Sequence, residues 1–153
     1  MTGTRSIVLA AGLTALMATG SFPAYAQDSK TTNQAIDEAL GNHAQYETVI
    51  KALQQGVKGK DAKAVAALVN YPISVKISGK DTEIKSEKDF VTHYDAIFTP
   101  KIAKVVEDQK YEDLFVNYQG IMFGDGQVWI NGICKDSACK AVDAKIVTIQ
   151  DGP

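Results

Sequence analysis

The chain has 153 residues, of which 45% are hydrophobic, and a formal net charge of −2. That length fits one domain and is enough to bury a core. Arg5 is the only arginine; a mildly acidic chain without the guanidinium fork and without a lysine cluster lacks a nucleic-acid footprint, so no nucleic-acid partner is expected.

Taken in chain order, the first element is a leader. Arg5 supplies a positive start, Ile7 to Ala18 is uncharged and rich in Ala, Leu and Met, and Ala24-Tyr25-Ala26 places small residues where a signal peptidase reads them. This pattern predicts a secretion signal over residues 1–26, cut after Ala26. The alternative, an uncleaved anchor, needs a spanning stretch of about 20 apolar residues. No cysteine follows the cut, so no lipid attachment is expected there. Loss of Arg5 leaves 15 lysines against 18 acidic residues. No later stretch approaches spanning length, so the product is expected to be soluble, periplasmic or secreted, with no membrane association.

Residues 27–34 are polar and read as a flexible lead-in, followed by a single domain over residues 35–153. Ile36, Leu40, Tyr46, Val49, Ile50 and Leu53 recur at helical spacing, with Gly41-Asn42 splitting off the early part. Gly56 and Gly59 end this segment, and Asp61 caps a shorter helix containing Val65, Leu68 and Val69. Tyr71-Pro72 stops it. Ile73, Val75 and Ile77 alternate with polar residues as a half-buried strand, Ser78 to Asp81 turns, and Thr82 to Lys85 returns. Ser86 to Asp89 has capping-box spacing before a helix with Phe90, Tyr94, Ile97 and Phe98 on its apolar face. Thr99-Pro100 starts another helix, lined by Ile102, Val105 and Val106.

The last third is strand-rich. Leu114, Val116 and Tyr118 alternate with Phe115, Asn117 and Gln119; residues 120–123 and 127–130 flank Gly124-Asp125-Gly126 as a hairpin; Ala144 to Ile149 forms a final strand. Cys134 and Cys139 enclose a short polar turn. In an oxidising compartment this even count predicts a structural disulfide. Zinc would need a second ligand pair that is missing, and a redox pair normally has two intervening residues rather than four.

Helices, a hairpin, more helices and then a meander make an α+β order. The run Gly59-Lys60-Asp61-Ala62-Lys63-Ala64-Val65-Ala66-Ala67-Leu68-Val69 leading to Tyr71-Pro72-Ile73, with Asp89-Phe90-Val91-Thr92-His93-Tyr94-Asp95 and Gly120 through Ile130, resembles the nuclear-transport-factor-2-like (cystatin-like) superfamily. The resemblance covers nearly the whole chain after the leader. It implies a curved antiparallel sheet packed on helices in the shape of a cone. It carries no reaction signature, because the superfamily includes isomerases, dehydratases, small-molecule binders and protein-interaction modules.

No nucleophile elbow, phosphate loop, His-Glu-x-x-His or calcium loop is present, so no cofactor or metal is expected. His93 falls on the stripe of Phe90, Tyr94 and Ile97, with Asp95 at its edge. It is either a general base or a partly buried histidine bonded to a backbone carbonyl or tyrosine. His43, after Gly41-Asn42, is expected at the surface. Tyr94, Tyr118 and Trp129 are candidates to line a pocket, Tyr94 and Trp129 meeting where helix and sheet converge. The residues therefore read as an exported domain binding a small molecule or a protein partner without catalysis. Two rivals stand beside it: a pocket isomerase or dehydratase using His93 or Asp95, and a homodimeric or inhibitor-type interaction module.

Overall fold

The computed structural model describes residues 28–151; the leader expected over residues 1–26 lies outside them. The elements follow the expected order closely, and most begin at a polar cap that satisfies backbone N–H groups left free at a helix start. Asp28 accepts from the Thr31 N–H to open α1 (Ser29–Ala39). Asn42 opens α2 (His43–Lys58), and Asp61 opens α3 (Ala62–Ala66). Gly41 sits between α1 and α2 at φ +93°, a backbone state that favours glycine and ends the first helix there.

One expectation fails at the start of this region. Residues 29–34 are the first turns of α1 rather than a loose lead-in. Thr32 is 3% exposed and donates its hydroxyl to the Glu112 carbonyl, and Tyr111 donates to the Asn33 side chain. Long-range contacts hold a segment that its own polarity would leave free.

Strands β1 (Ile73–Ile77) and β2 (Lys80–Ile84) pair from Ile73↔Ile84 to Ile77↔Lys80. The turn is two residues, shorter than expected: Ser78 and Gly79 take φ +51° and +77°, the left-handed pair that suits a tight hairpin. Ser86 caps α4 (Glu87–Ile97), while the Asp89 carboxylate reaches back to the Lys85 N–H. The capping box forms with its acid shifted one residue outward. Thr99 caps α5 (Pro100–Asp108), Pro100 taking the first turn, where a missing N–H costs nothing.

After a single 3₁₀ turn at Tyr111–Asp113 come β3 (Phe115–Asn117), β4 (Gly120–Phe123), β5 (Val128–Cys134) and β6 (Val142–Ile149), an antiparallel sheet in sequence order. The β4–β5 connection is a four-residue loop, because the Gln127 side chain turns inward and accepts from the Asp125 N–H. β5 therefore starts at Val128. A bulge between Trp129 and Ile130 shifts the register against β6, a feature that bends a strand. Cys134 and Cys139 are joined across the β5–β6 turn. The segment after α3 runs parallel to β6, with the Asn70 N–H on the Ile146 carbonyl and the Ile146 N–H on the Leu68 carbonyl.

Pairing Val116↔Ile121↔Ile130↔Ile146 places these residues on the inner face, where Phe123, Val128 and Ile149 join them. That face and the helical residues Ile36, Tyr46, Ile50 and Leu53 form one buried cluster. The fold is α+β, as expected, and the layer between sheet and helices is filled with side chains.

Candidate functional site

One hollow among the described residues lies on the helices, away from the sheet. The end of α2, the second half of α4 and the first turns of α5 enclose a cleft of about 570 Å³. Thr99 separates α4 from α5 by so short a connection that the two helices must flank a common hollow. α2 contributes Val57 and the following turn Lys60; α4 contributes Tyr94, Asp95 and, at its cap, Phe98. Along α5, Pro100, Ala103, Lys104, Glu107 and Asp108 line the opposite wall, while Ile102 and Val106 face the core.

The floor is aromatic. Tyr94 and Phe98 stack with ring centroids 5.5 Å apart, and Phe90 meets each of them edge-on at 6.3 Å. Tyr94 is 8% exposed as a residue; every buried side-chain polar atom among the described residues has a partner, so its hydroxyl, which bonds to none of them, opens onto the cleft. Burial raises its pKa first, and the carboxylates of Asp95, Asp61 and Glu107 push in the same direction. On the rim, Lys104 is paired with Asp108 one turn along.

The other expected site residues are not gathered here. His93 points away from the cleft, half-exposed, and donates from Nδ1 to the Asp89 carbonyl at 2.9 Å, with the Asp89 carboxylate at 3.3 Å. This is the carbonyl-bonded arrangement allowed for it, and it separates His93 from Asp95. Two positions apart on a helix, the pair cannot share one face.

The three candidate aromatics are also dispersed. Tyr118 is 81% exposed in the β3–β4 turn, because β3 stops at Asn117 and the alternation ends with it. Trp129 is half-buried on the outer sheet face, since Val128 and Ile130 on either side take the inner one. It borders a shallow groove with Gln119, Val147 and Thr148. Tyr94 alone of the three lines the cleft. A pocket within the sheet interior, where Tyr94 and Trp129 were to converge, is replaced by Phe123 and the isoleucines of the core.

Phe98, Lys60, Lys104 and Glu107 were not anticipated. The signal for Lys104 and Glu107 was present in α5, whose polar and small positions repeat at helical spacing opposite Ile102 and Val106. His43 adds a second unanticipated contact at the α1–α2 corner. Its backbone N–H and its ring Nδ1 each lie 2.8 Å from an oxygen of Asp37, which holds that carboxyl below its ordinary pKa. No group of three or more metal-ligating side chains occurs among the described residues, and no helix among them is long and apolar enough to cross a membrane. In comparisons with known protein families, curated proteins and solved structures, nothing matches the chain.

Proposed function

We propose that this chain is an exported domain that binds a small organic molecule in the α2–α4–α5 cleft and does not transform it. The observation that carries the reading is a hollow of about 570 Å³, large enough for a ligand, in which Val57, Tyr94, Phe98 and Ala103 stand beside charged side chains of α4 and α5. Such a site offers apolar contact and several polar anchors, the Tyr94 hydroxyl among them. Catalysis by the expected groups lacks support, because His93 lies outside the hollow that Asp95 lines, so the two do not act on one ligand.

Export rests on the leader pattern of residues 1–26 and agrees with the Cys134–Cys139 disulfide. The element order, helices around a hairpin and then a four-strand meander, supports the nuclear-transport-factor-2-like reading of the fold. In this chain, however, the hollow is outside the sheet. A protein-interaction role, including a homodimer, draws on a different observation: Phe115 and Tyr118, 52% and 81% exposed, stand together near the β3–β4 turn.

Amide shift mapping by NMR with a library of small aromatic compounds tests the proposal. Binding is expected to move the amides of Tyr94, Phe98 and Ala103. Perturbations confined to residues 115–122, or none with any compound, would overturn it.

A further inference from the structure

We infer that the outer face of the four-strand sheet is a second binding site, and that it takes an uncharged glycan, a chain of neutral pyranose sugars. The site is independent of the cleft between the helices. On this face Phe115 of β3 stands opposite Met122 of β4, and Met122 opposite Trp129 of β5, so the three side chains form one row across the strands. Phe115 is 52% exposed, and Met122 and Trp129 are half-buried. With strands about 4.8 Å apart, the two aromatic residues are held roughly 10 Å from each other at the backbone. Beyond Trp129 the row ends in a shallow groove of about 370 Å³, whose other walls are Gln119, Val147, Thr148 and Gln150. The Asn131 amide donates to the Gln119 carbonyl at 3.0 Å and ties the β3–β4 turn to β5.

The lining decides the class of ligand. Neither acid nor lysine is among the described residues that line the groove, whereas the α2–α4–α5 cleft carries both. Amides and a hydroxyl each offer a donor and an acceptor, as every sugar hydroxyl does. Every buried side-chain polar atom among the described residues has a partner, so the Trp129 N–H and the Thr148 hydroxyl, which bond to none of them, open onto the groove. A pyranose turns slightly positive C–H bonds toward one face, and the face of an indole or phenyl ring is negative. One sugar unit in the groove and the next over Phe115 and Met122 would use both rings. A protein partner of ordinary size needs about 800 Å² on each side. Here the apolar row is narrow, and Asn117 and Asn131, two positions on from Phe115 and Trp129, border it on the same face.

Trp129 is the only tryptophan, so its fluorescence reports directly on this face. The purified chain is titrated with two neutral tetramers, chitotetraose and cellotetraose, and with the anionic tetragalacturonate. At least one neutral tetramer is expected to saturate a change in emission at millimolar concentration or below. Tetragalacturonate is expected to bind about tenfold more weakly, because the groove holds no cation to repay desolvation of its carboxylates. Phe115→Ala keeps the reporter and should weaken the neutral tetramer about fivefold, with an unchanged thermal melt showing that the variant folds. No response to either neutral tetramer overturns the proposal, as does equal or tighter binding of tetragalacturonate. An affinity unaltered by Phe115→Ala also overturns it. An emission change that follows protein concentration without sugar, matched by a dimer in sedimentation, gives the face to a second copy of the chain and overturns the glycan.

Discussion

The layer under the sheet and the hollow between the helices are built from similar materials and end in opposite states. Under the sheet, Phe123, Ile121, Ile130 and Ile146 are fully buried, and every polar side-chain atom buried among the described residues has a partner. Between α2, α4 and α5, the rings of Tyr94 and Phe98 are nearly as buried, but the Tyr94 hydroxyl meets an open cleft instead of a protein partner. The difference teaches that the molecule divides its labour. One apolar region closes completely, while the other ends at an open hollow.

That division can be broken at the core with the largest effect. Phe123→Ala removes a fully buried ring and is expected to lower stability by about 3–5 kcal/mol in urea unfolding. Cleft amides in the folded fraction should keep their shifts. A smaller loss follows from removing the disulfide. The Cys134→Ser, Cys139→Ser pair opens a loop with a sequence separation of 5. It should cost on the order of 2 kcal/mol in the same measurement, again without touching the hollow.

Tyr94→Phe sharpens the comparison from the other side. Because the deleted hydroxyl has no partner among the described residues, stability should change by less than about 0.5 kcal/mol. Binding of any ligand that uses the anchor should weaken severalfold in an NMR titration. A stability loss above about 1 kcal/mol would show that the hydroxyl is engaged in holding the fold.

The smallest effect concerns pH at the α1–α2 corner. Asp37 has its folded-state pKa lowered by the His43 backbone N–H and then by the His43 ring. Its contribution is therefore present above the unfolded carboxyl pKa and is lost as pH falls through the lower folded value. Asp37→Asn should flatten the acid limb of a stability–pH curve below about pH 4 and leave the neutral region nearly level. An acid limb identical to that of the parent chain would remove the corner from the account.

What could be read in advance follows the range of the interactions involved. Asp61, Ser86 and Thr99 cap their helices because a cap depends on residues two or three positions away. The β1–β2 hairpin and the cysteine bridge are legible for the same reason. Thr32 was missed because its burial depends on Glu112, eighty positions later. Trp129 lies on the outer face because Val128 and Ile130 take the inner one, a placement that the alternation along β5 already implies. The cleft itself was out of reach of periodicity, since its walls belong to three helices whose crossing is fixed by tertiary packing. The phenol was named as a pocket residue, but its companions were sought on the wrong element.

The parallel bridge from Leu68–Asn70 to Ile146 has a consequence for solubility at high concentration. An open border of a sheet is a template on which further chains can stack into fibrils. Here one border is already occupied by the molecule's own backbone, through two hydrogen bonds of 2.8 and 2.9 Å. The opposite border is β3, three residues long. Strand addition to this sheet thus meets a rim partly occupied at Ile146 on one side and a three-residue strand on the other.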